Sequence, residues 1–252
     1  FLAFEDSISY AQDDSYSVSS SVTGGIGLIE TPSARFAEDG EFTFGLSVEA
    51  PYNRLYASMQ FFPWLEATLK YTEGEHRPYY KGSRQTWKDK GIDVKIRLLE
   101  EDGVIPELAI GALDFGGTGS YASEYIVASK RFNNIDLTLG LGVGRLGGSV
   151  HGGGQHIQNP FIWIDKDKEI RGSTDALGGA LSLDRLGSGK YASFFGGIEY
   201  NTPIPNLSLQ LEYDPSEWWY LINKEKRINQ SGHKFDLDSR LNIGLNYRYD
   251  IS

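Results

Sequence analysis

Ile135-Asp136-Leu137-Thr138-Leu139-Gly140-Leu141-Gly142-Val143-Gly144 is the stretch on which the reading of this chain turns. Apolar residues hold every odd position, and polar residues or glycine every even one. A period of two sends one set of side chains to one face of a β-strand and the other set to the opposite face. The run is also long, matching the roughly 9–11 residues a strand needs to cross a bilayer at a tilt.

The same alternation recurs along the chain. Phe42, Phe44, Leu46, Val48 and Ala50 alternate with Thr43, Gly45, Ser47 and Glu49. Leu55, Ala57, Met59 and Phe61 alternate with Arg54, Tyr56, Ser58 and Gln60; Leu65, Ala67, Leu69 and Tyr71 with Glu66, Thr68, Lys70 and Thr72. Ile92, Val94, Ile96 and Leu98 stand against Asp93, Lys95 and Arg97, and Leu207, Leu209, Leu211 and Tyr213 against Ser208, Gln210 and Glu212. Near the C-terminus, Leu241, Ile243, Leu245, Tyr247 and Tyr249 oppose Arg240, Asn242, Gly244, Asn246 and Arg248. Weaker strand patterns lie at 107–115, 121–132, 175–185, 191–201 and 217–223, and no window reads as an amphipathic helix. The chain is all-β.

Composition narrows the class. The chain has 252 residues and no cysteine, so it holds neither disulfides nor a Cys-based metal site. Its formal charge of -10 argues against non-specific nucleic-acid binding. With 15 Tyr, 13 Phe and 5 Trp it does not read as disordered. No run of about 18 apolar residues offers a transmembrane helix. The first residues lack the basic and apolar regions of a signal peptide, and 5–23 read as an acidic, Ser-rich leader.

Alternation of this kind fits either a soluble sandwich, with its apolar face inside, or an outer-membrane barrel, with its apolar face in lipid. Strand length favours the barrel. So do the aromatics gathered near strand ends: Phe61, Phe62, Trp64, Tyr71, Trp218, Trp219, Tyr220, Tyr247 and Tyr249. Loop lengths add an independent sign. A twelve-strand parse puts 62–64, 99–106, 133–134, 186–190 and 214–216 at one end, all short. The other end takes 51–52, 73–88, 116–120, 146–174, 202–206 and 224–235, including every long loop, as in outer-membrane barrels. Asn242, Gly244, Tyr247 and Tyr249 form a polar–glycine–aromatic–aromatic series like the final-strand signal read by barrel-assembly machinery.

Several segments also resemble a known family. They are Gly24-Gly25-Ile26-Gly27-Leu28-Ile29-Glu30-Thr31-Pro32-Ser33-Ala34-Arg35, Pro63-Trp64-Leu65-Glu66, Lys88-Asp89-Lys90-Gly91-Ile92-Asp93-Val94-Lys95, Gly116-Gly117-Thr118-Gly119 and Ser123-Glu124-Tyr125-Ile126-Val127-Ala128-Ser129-Lys130-Arg131. Together they resemble the YjbH/GfcD family of outer-membrane barrels from exopolysaccharide and group 4 capsule systems, strongly over 24–145 and loosely beyond. The resemblance implies a place in polysaccharide secretion. Many members are longer, so this chain reads as a short, single-barrel form.

Catalytic motifs do not assemble. Gly142-x-Gly144-x-x-Gly147 has the letters of a dinucleotide fingerprint but runs from a strand into a Gly-rich loop, not a helix. Ser149, His151, His156 and Asn159 invite comparison with barrel-borne lipid hydrolases, but no third group fixes either imidazole on a rigid strand. The two histidines make a poor metal site without carboxylates, and Glu100, Glu101 and Asp102 read as turn charges.

The expectation is therefore a transmembrane antiparallel β-barrel of about twelve strands over 41–252, with 1–40 as a periplasmic or lumen-plugging leader. The barrel sits in the bacterial outer membrane, without cofactor, metal or catalysis. Glu49, Arg54, Glu66, Lys70, Asp93, Lys95, Arg97, Asp136, Glu212, Asp238, Arg240 and Arg248 point into the lumen. There they either cross-link the strands or line a conduit. Tyr79, Tyr80, Trp87, Phe161 and Trp163 on the long-loop side either stack on sugar rings or rest in the headgroup layer. Expected partners are outer-membrane lipid, the assembly machinery, polysaccharide and periplasmic secretion proteins. A closed barrel binding another protein, or a barrel enzyme, stands as the alternative.

Overall fold

A computed structural model describes residues 18–49, 52–78, 83–119, 121–148, 156–171, 180–181, 183–216 and 239–249. Among the described residues thirteen strands follow one another: β1 Phe42–Glu49, β2 Tyr52–Phe62, β3 Leu65–Pro78, β4 Thr86–Leu99, β5 Glu107–Leu113, β6 Gly116–Gly117, β7 Ser123–Phe132, β8 Ile135–Gly144, β9 Ile157–Gln158, β10 Ala180–Leu181, β11 Tyr191–Asn201, β12 Leu207–Tyr213 and β13 Leu241–Tyr247. An 11-stranded sheet runs in the order β1-β2-β3-β4-β5-β7-β8-β11-β12-β13, with β9 added beside β11. The paired strands in it are antiparallel. β6 and β10 make a separate two-stranded ribbon.

The expected strand 175–185 is described only at 180–181 and 183–185, and neither piece joins the large sheet. Within 175–185, Ala180–Leu181 pairs only with Gly116–Gly117, and Leu183–Arg185 is a turn of 3-10 helix. β11 takes the place instead, pairing along its length with β8 from Ala192↔Val143 to Tyr200↔Ile135. Without a sheet strand between β8 and β11, the connections 186–190, 202–206 and 214–216 change ends. The turns 63–64, 100–106, 133–134 and 202–206 share one end, and the chain leaves and re-enters the sheet at the other end between β1 and β2, β3 and β4, β5 and β7, β8 and β11, and β12 and β13. Thus 202–206 moves to the short-turn end, while 186–190 and 214–216 move to the long-loop end; the sorting is sharper than the sequence parse made it. The expected strand 217–223 lies outside the described residues. Asn133 and Asn206 take positive φ of 51° and 62° in two of the short turns, a conformation asparagine tolerates.

The two faces of the sheet have the reverse of soluble burial. Phe44, Leu46, Leu69, Ile92, Ile126, Leu139, Phe194, Leu209 and Ile243 are exposed. Arg54, Ser58, Glu66, Thr68, Lys70, Asp93, Lys95, Ser129, Asp136, Glu199 and Glu212 are buried. Phe61, Phe62, Trp64 and Phe132 stand exposed at the short-turn end, with Phe62 and Trp64 stacked at 5.5 Å.

Space on the polar face is made by glycine. Gly45, Gly111 and Gly140 lie directly across from Tyr56, Tyr125 and Phe195 on neighbouring strands. A Cβ there would fall 2.1, 2.3 and 2.2 Å from the facing ring, so each aromatic lies over a bare backbone. The long rings are thereby kept within a narrow interior.

The sheet is not closed by backbone pairing. Its order begins at β1 and ends at β13, and among the described residues no hydrogen-bonded register joins those two edges. The barrel expected from the sequence is therefore present as an open sheet. Its curl brings both edges to one segment: Ser47 of β1 donates to the Val22 carbonyl at 2.6 Å, and Asn246 of β13 donates to Ser19 Oγ at 2.6 Å.

Candidate functional site

Residues 18–36 occupy the polar face, and the described side chains of the strands converge on them. The segment has little regular structure of its own, with isolated bridges Ser20↔Ile26 and Gly27↔Pro32. Its backbone groups must therefore find partners elsewhere. The strands supply them. Ser58 Oγ accepts from Gly25 N–H at 3.0 Å, Ser129 Oγ accepts from Ala34 N–H at 3.0 Å, and Glu66 accepts from Ile26 N–H at 3.2 Å. Lys95 Nζ donates to the carbonyls of Ile26 and Arg35 at 3.0 and 2.7 Å. Gly24 and Gly25 have φ of +89° and +79° and lie where a Cβ would meet Thr68 and Glu66 at 2.8 Å, so only glycine fits the crossing.

At the long-loop end, successive backbone N–H groups of Ile29, Glu30 and Thr31 converge on the Glu212 carboxylate at 2.9–3.1 Å. The Thr31 hydroxyl and the Asn242 amide complete its shell at 2.8 and 2.9 Å. Such a nest of N–H groups holds a carboxylate as it would an anion. Beside it the Glu30 carboxyl is pushed well above its ordinary range, by burial first and then by the neighbouring Glu49 carboxyl, with Arg54 opposing. Arg54 is tied to Glu49 at 2.8 Å and lies 5.0 Å from the Tyr52 ring centre.

At the short-turn end Arg35 binds three carboxylates: Asp136 through two donors at 2.8 Å, Glu107 at 2.9 Å and Glu101 at 2.6 Å. Burial pushes the Glu101 carboxyl up, but hydrogen bonds from Lys130 and Arg35 prevail and hold it below the usual carboxylate range. Arg97 adds a bond to Glu107 at 2.8 Å. Phe36 lies under Lys95 and Arg97 at 4.7 and 4.5 Å. Ala34 and Phe36 join Ala109, Leu113, Tyr125, Val127, Leu146 and Phe195 in a small apolar core inside the polar shell.

A second carboxylate group closes the long-loop end of β4 and β5. Asp93 accepts from Lys70 Nζ and from Asp114 N–H, each at 2.6 Å. Asp114 accepts from Tyr121 N–H at 2.9 Å, yet its carboxyl is pushed up to about 7, by burial first and then by the charge on Asp89. Tyr121 is sandwiched among Tyr52, Trp87 and Arg145 at 5.9, 5.8 and 5.0 Å. Burial pushes the Arg145 guanidinium down from its ordinary value.

The expected inward residues fall as follows. Glu66, Lys70, Asp93, Lys95, Asp136 and Glu212 are buried against segment 18–36 or one another, and Arg97 is half-buried. Arg240 donates to the Pro215 carbonyl, and Arg248 donates to the Val18 carbonyl at 2.8 Å from an exposed position. Asp238 lies outside the described residues. Of the final-strand series, Asn242 binds Glu212, Gly244 faces Ile29, and Tyr247 and Tyr249 are exposed.

Among the long-loop aromatics, Trp87 is half-buried on Tyr121 rather than exposed. Phe161 and Trp163 are exposed, and Tyr79 and Tyr80 lie outside the described residues. His156 faces Ser193 at 3.2 Å, not a strand-borne acid, and Ser193 gives its own proton to the Gly147 carbonyl at 2.7 Å. Asn159 is a loop clasp, donating to the carbonyls of Gly187 and Gly189. Ser149 and His151 lie outside the described residues. No group of three or more potential metal ligands occurs among the described residues.

Cavities of about 20 and 10 Å³ remain between segment 18–36 and the wall, the first beside Glu66 and Lys95 and the second beside Arg35 and Glu199. Each has room for about one water. Sequence reasoning missed Arg35, Glu107 and Glu199 as interior groups. Glu107 and Glu199 could have been found by extending the strict alternation through the weaker strands 107–115 and 191–201. Arg35 has no such phase, since its segment is neither helix nor strand.

Comparison with known proteins adds a family. Residues 19–251 match the family YjbH, described as exopolysaccharide biosynthesis protein YbjH. The chain is 38% identical over 230 residues to a protein of Escherichia coli (strain K12) named "Uncharacterized lipoprotein YjbH". That alignment covers 89% of this chain but 31% of the relative, so the chain spans about a third of that protein's length. No solved structure matches.

Proposed function

Because this chain belongs to the YjbH family of exopolysaccharide biosynthesis, we propose that it forms an outer-membrane β-barrel module serving polysaccharide secretion or surface attachment without catalysis of its own. The observation that carries this reading is the inverted burial: a belt of exposed Phe, Leu, Ile and Val outside and a charged, paired interior. In water that belt would be an aggregation surface; in a bilayer it is solvated by acyl chains.

In this reading β1 and β13 come together as the seam, and residues 18–36 seal the lumen. The sealed lumen favours an anchor or docking barrel over an open conduit. Many of its polar groups are bonded within the chain itself, and the turns and loops are left to meet polysaccharide or periplasmic secretion proteins.

The test is fractionation of a Gram-negative host secreting the full chain. The expected result is recovery in the outer membrane, extraction only with detergent, and heat-modifiable migration on gels. A detergent-independent soluble monomer would overturn the membrane assignment.

A further inference from the structure

Residues 156–171 fold into a rigid platform on the outside of the wall. Asn159 is fully buried, and its side chain donates to the carbonyls of Gly187 and Gly189 at 2.8 and 2.7 Å while accepting from Phe161 N–H at 3.0 Å. That clasp holds the short 3-10 turns Pro160–Trp163 and Lys166–Glu169. Arg171 then fixes the platform to β7 with two bonds to the Glu124 carboxylate at 2.9 and 2.7 Å, and Gly187 N–H adds a third at 3.1 Å.

Glu124 fixes where the platform sits. It pairs across to Val143 and on to Ala192, one outward-facing row of the sheet. Val143 and Ala192 are buried. The next outward row toward the short turns is Ile126, Leu141 and Phe194, where the exposed apolar belt begins. The ion pair is therefore one row beyond the hydrocarbon-facing surface.

The platform presents outward a group of large apolar side chains flanking the charged run Asp165–Glu169. Trp163, Ile164 and Ile170 are 75%, 85% and 79% exposed, with Phe161 half-exposed beside them. A polar loop in water gains nothing from such a display. Sugar stacking accounts for an aromatic ring but not for two branched aliphatic side chains. A headgroup layer accounts for both, because indole prefers that depth and isoleucine the acyl boundary beneath it. Between Ile164 and Ile170 run Asp165, Lys166, Asp167, Lys168 and Glu169, a mixed-charge strip that belongs at the level of zwitterionic headgroups rather than in the acyl region.

We infer that residues 160–170 are an interfacial anchor, seated in the headgroup–acyl boundary of the bilayer around the long-loop end of the wall. The inference rests on the barrel reading above. It assigns Phe161 and Trp163 to lipid rather than to glycan.

Single-tryptophan chains separate the two claims. Trp163 is kept in one and Trp64, on the short-turn end of the belt, in the other, with the remaining tryptophans changed to Phe. Heat-modifiable migration verifies that each is folded. Both are placed in phosphatidylcholine vesicles carrying bromine near the headgroup end of the acyl chains. The expected result is that Trp163 emission is blue-shifted and quenched about as strongly as that of Trp64, with little quenching by aqueous acrylamide. Trp64 quenched by lipid and Trp163 only by acrylamide would overturn the anchor and leave the barrel standing. Neither quenched by lipid would overturn both.

Discussion

Arg35 shows what a single interior residue does here. It neutralises carboxylates from β5, β8 and the 100–106 turn, so its loss strands several buried charges at once. Breaking a buried pair from one side costs roughly 3–5 kcal/mol. Arg35→Met should lower the unfolding free energy by about that amount in a urea titration of the refolded protein; a change below about 1 kcal/mol would mean the carboxylates are not held by Arg35. Asp114 behaves oppositely. Its folded carboxyl titrates at about 7, above the ordinary value of about 3.9. Between those pH values the folded chain holds a proton that the unfolded chain has released, so its contribution to stability falls as pH rises through that window and is level above it. Asp114→Asn should remove that loss, being relatively more stable than the unaltered chain at pH 8 than at pH 5. Equal pH dependence in the two proteins would show that Asp114 ionises freely. Asp114 lies at the end of a weak strand pattern, and nothing in its neighbours' letters announces that Asp89 and Asp93 lie beside it.

At the scale of elements, alternation carried ten long strands into the fold because a period of two is a local property of the backbone. Within 175–185 the described pieces went elsewhere: Ala180–Leu181 pairs with β6, Leu183–Arg185 is 3-10 helix, and β8 has β11 as its partner. Pairing is a competition that one segment's sequence does not decide. The cross-strand aromatic–glycine pairs are likewise invisible until register is known. Gly140→Val would drive a side chain into the Phe195 ring, costing about 1–3 kcal/mol as overpacking does. Adding Phe195→Ala should recover part of that loss in a double-mutant cycle. Additive losses would mean the two residues do not meet.

For the molecule as a whole, the decisive contact is between the sheet and residues 18–36. Glu212, Arg35, Lys95 and Glu66 are each hydrogen-bonded to it or part of it, so segment and wall stabilise one another. Removing 18–36 should open the interior: planar bilayers are expected to show no steady current with the intact chain and stepwise conductance with the deletion. Conductance of the intact chain equal to that of the deletion would show that the segment does not seal the lumen.

The sequence by itself determined the all-β class, the positions of the ten long strands and the separation of apolar from polar faces, because all three follow from a two-residue period. It also showed the short turns and long loops gathering at opposite ends. Only the tertiary structure decided which strand pairs with β8, that the charged face is filled by residues 18–36, and that Arg35 and Glu212 hold the two ends of that segment. Those outcomes depend on residues far apart in sequence meeting in a narrow interior, where each buried charge or backbone group must find a partner. No local pattern encodes which partner that will be.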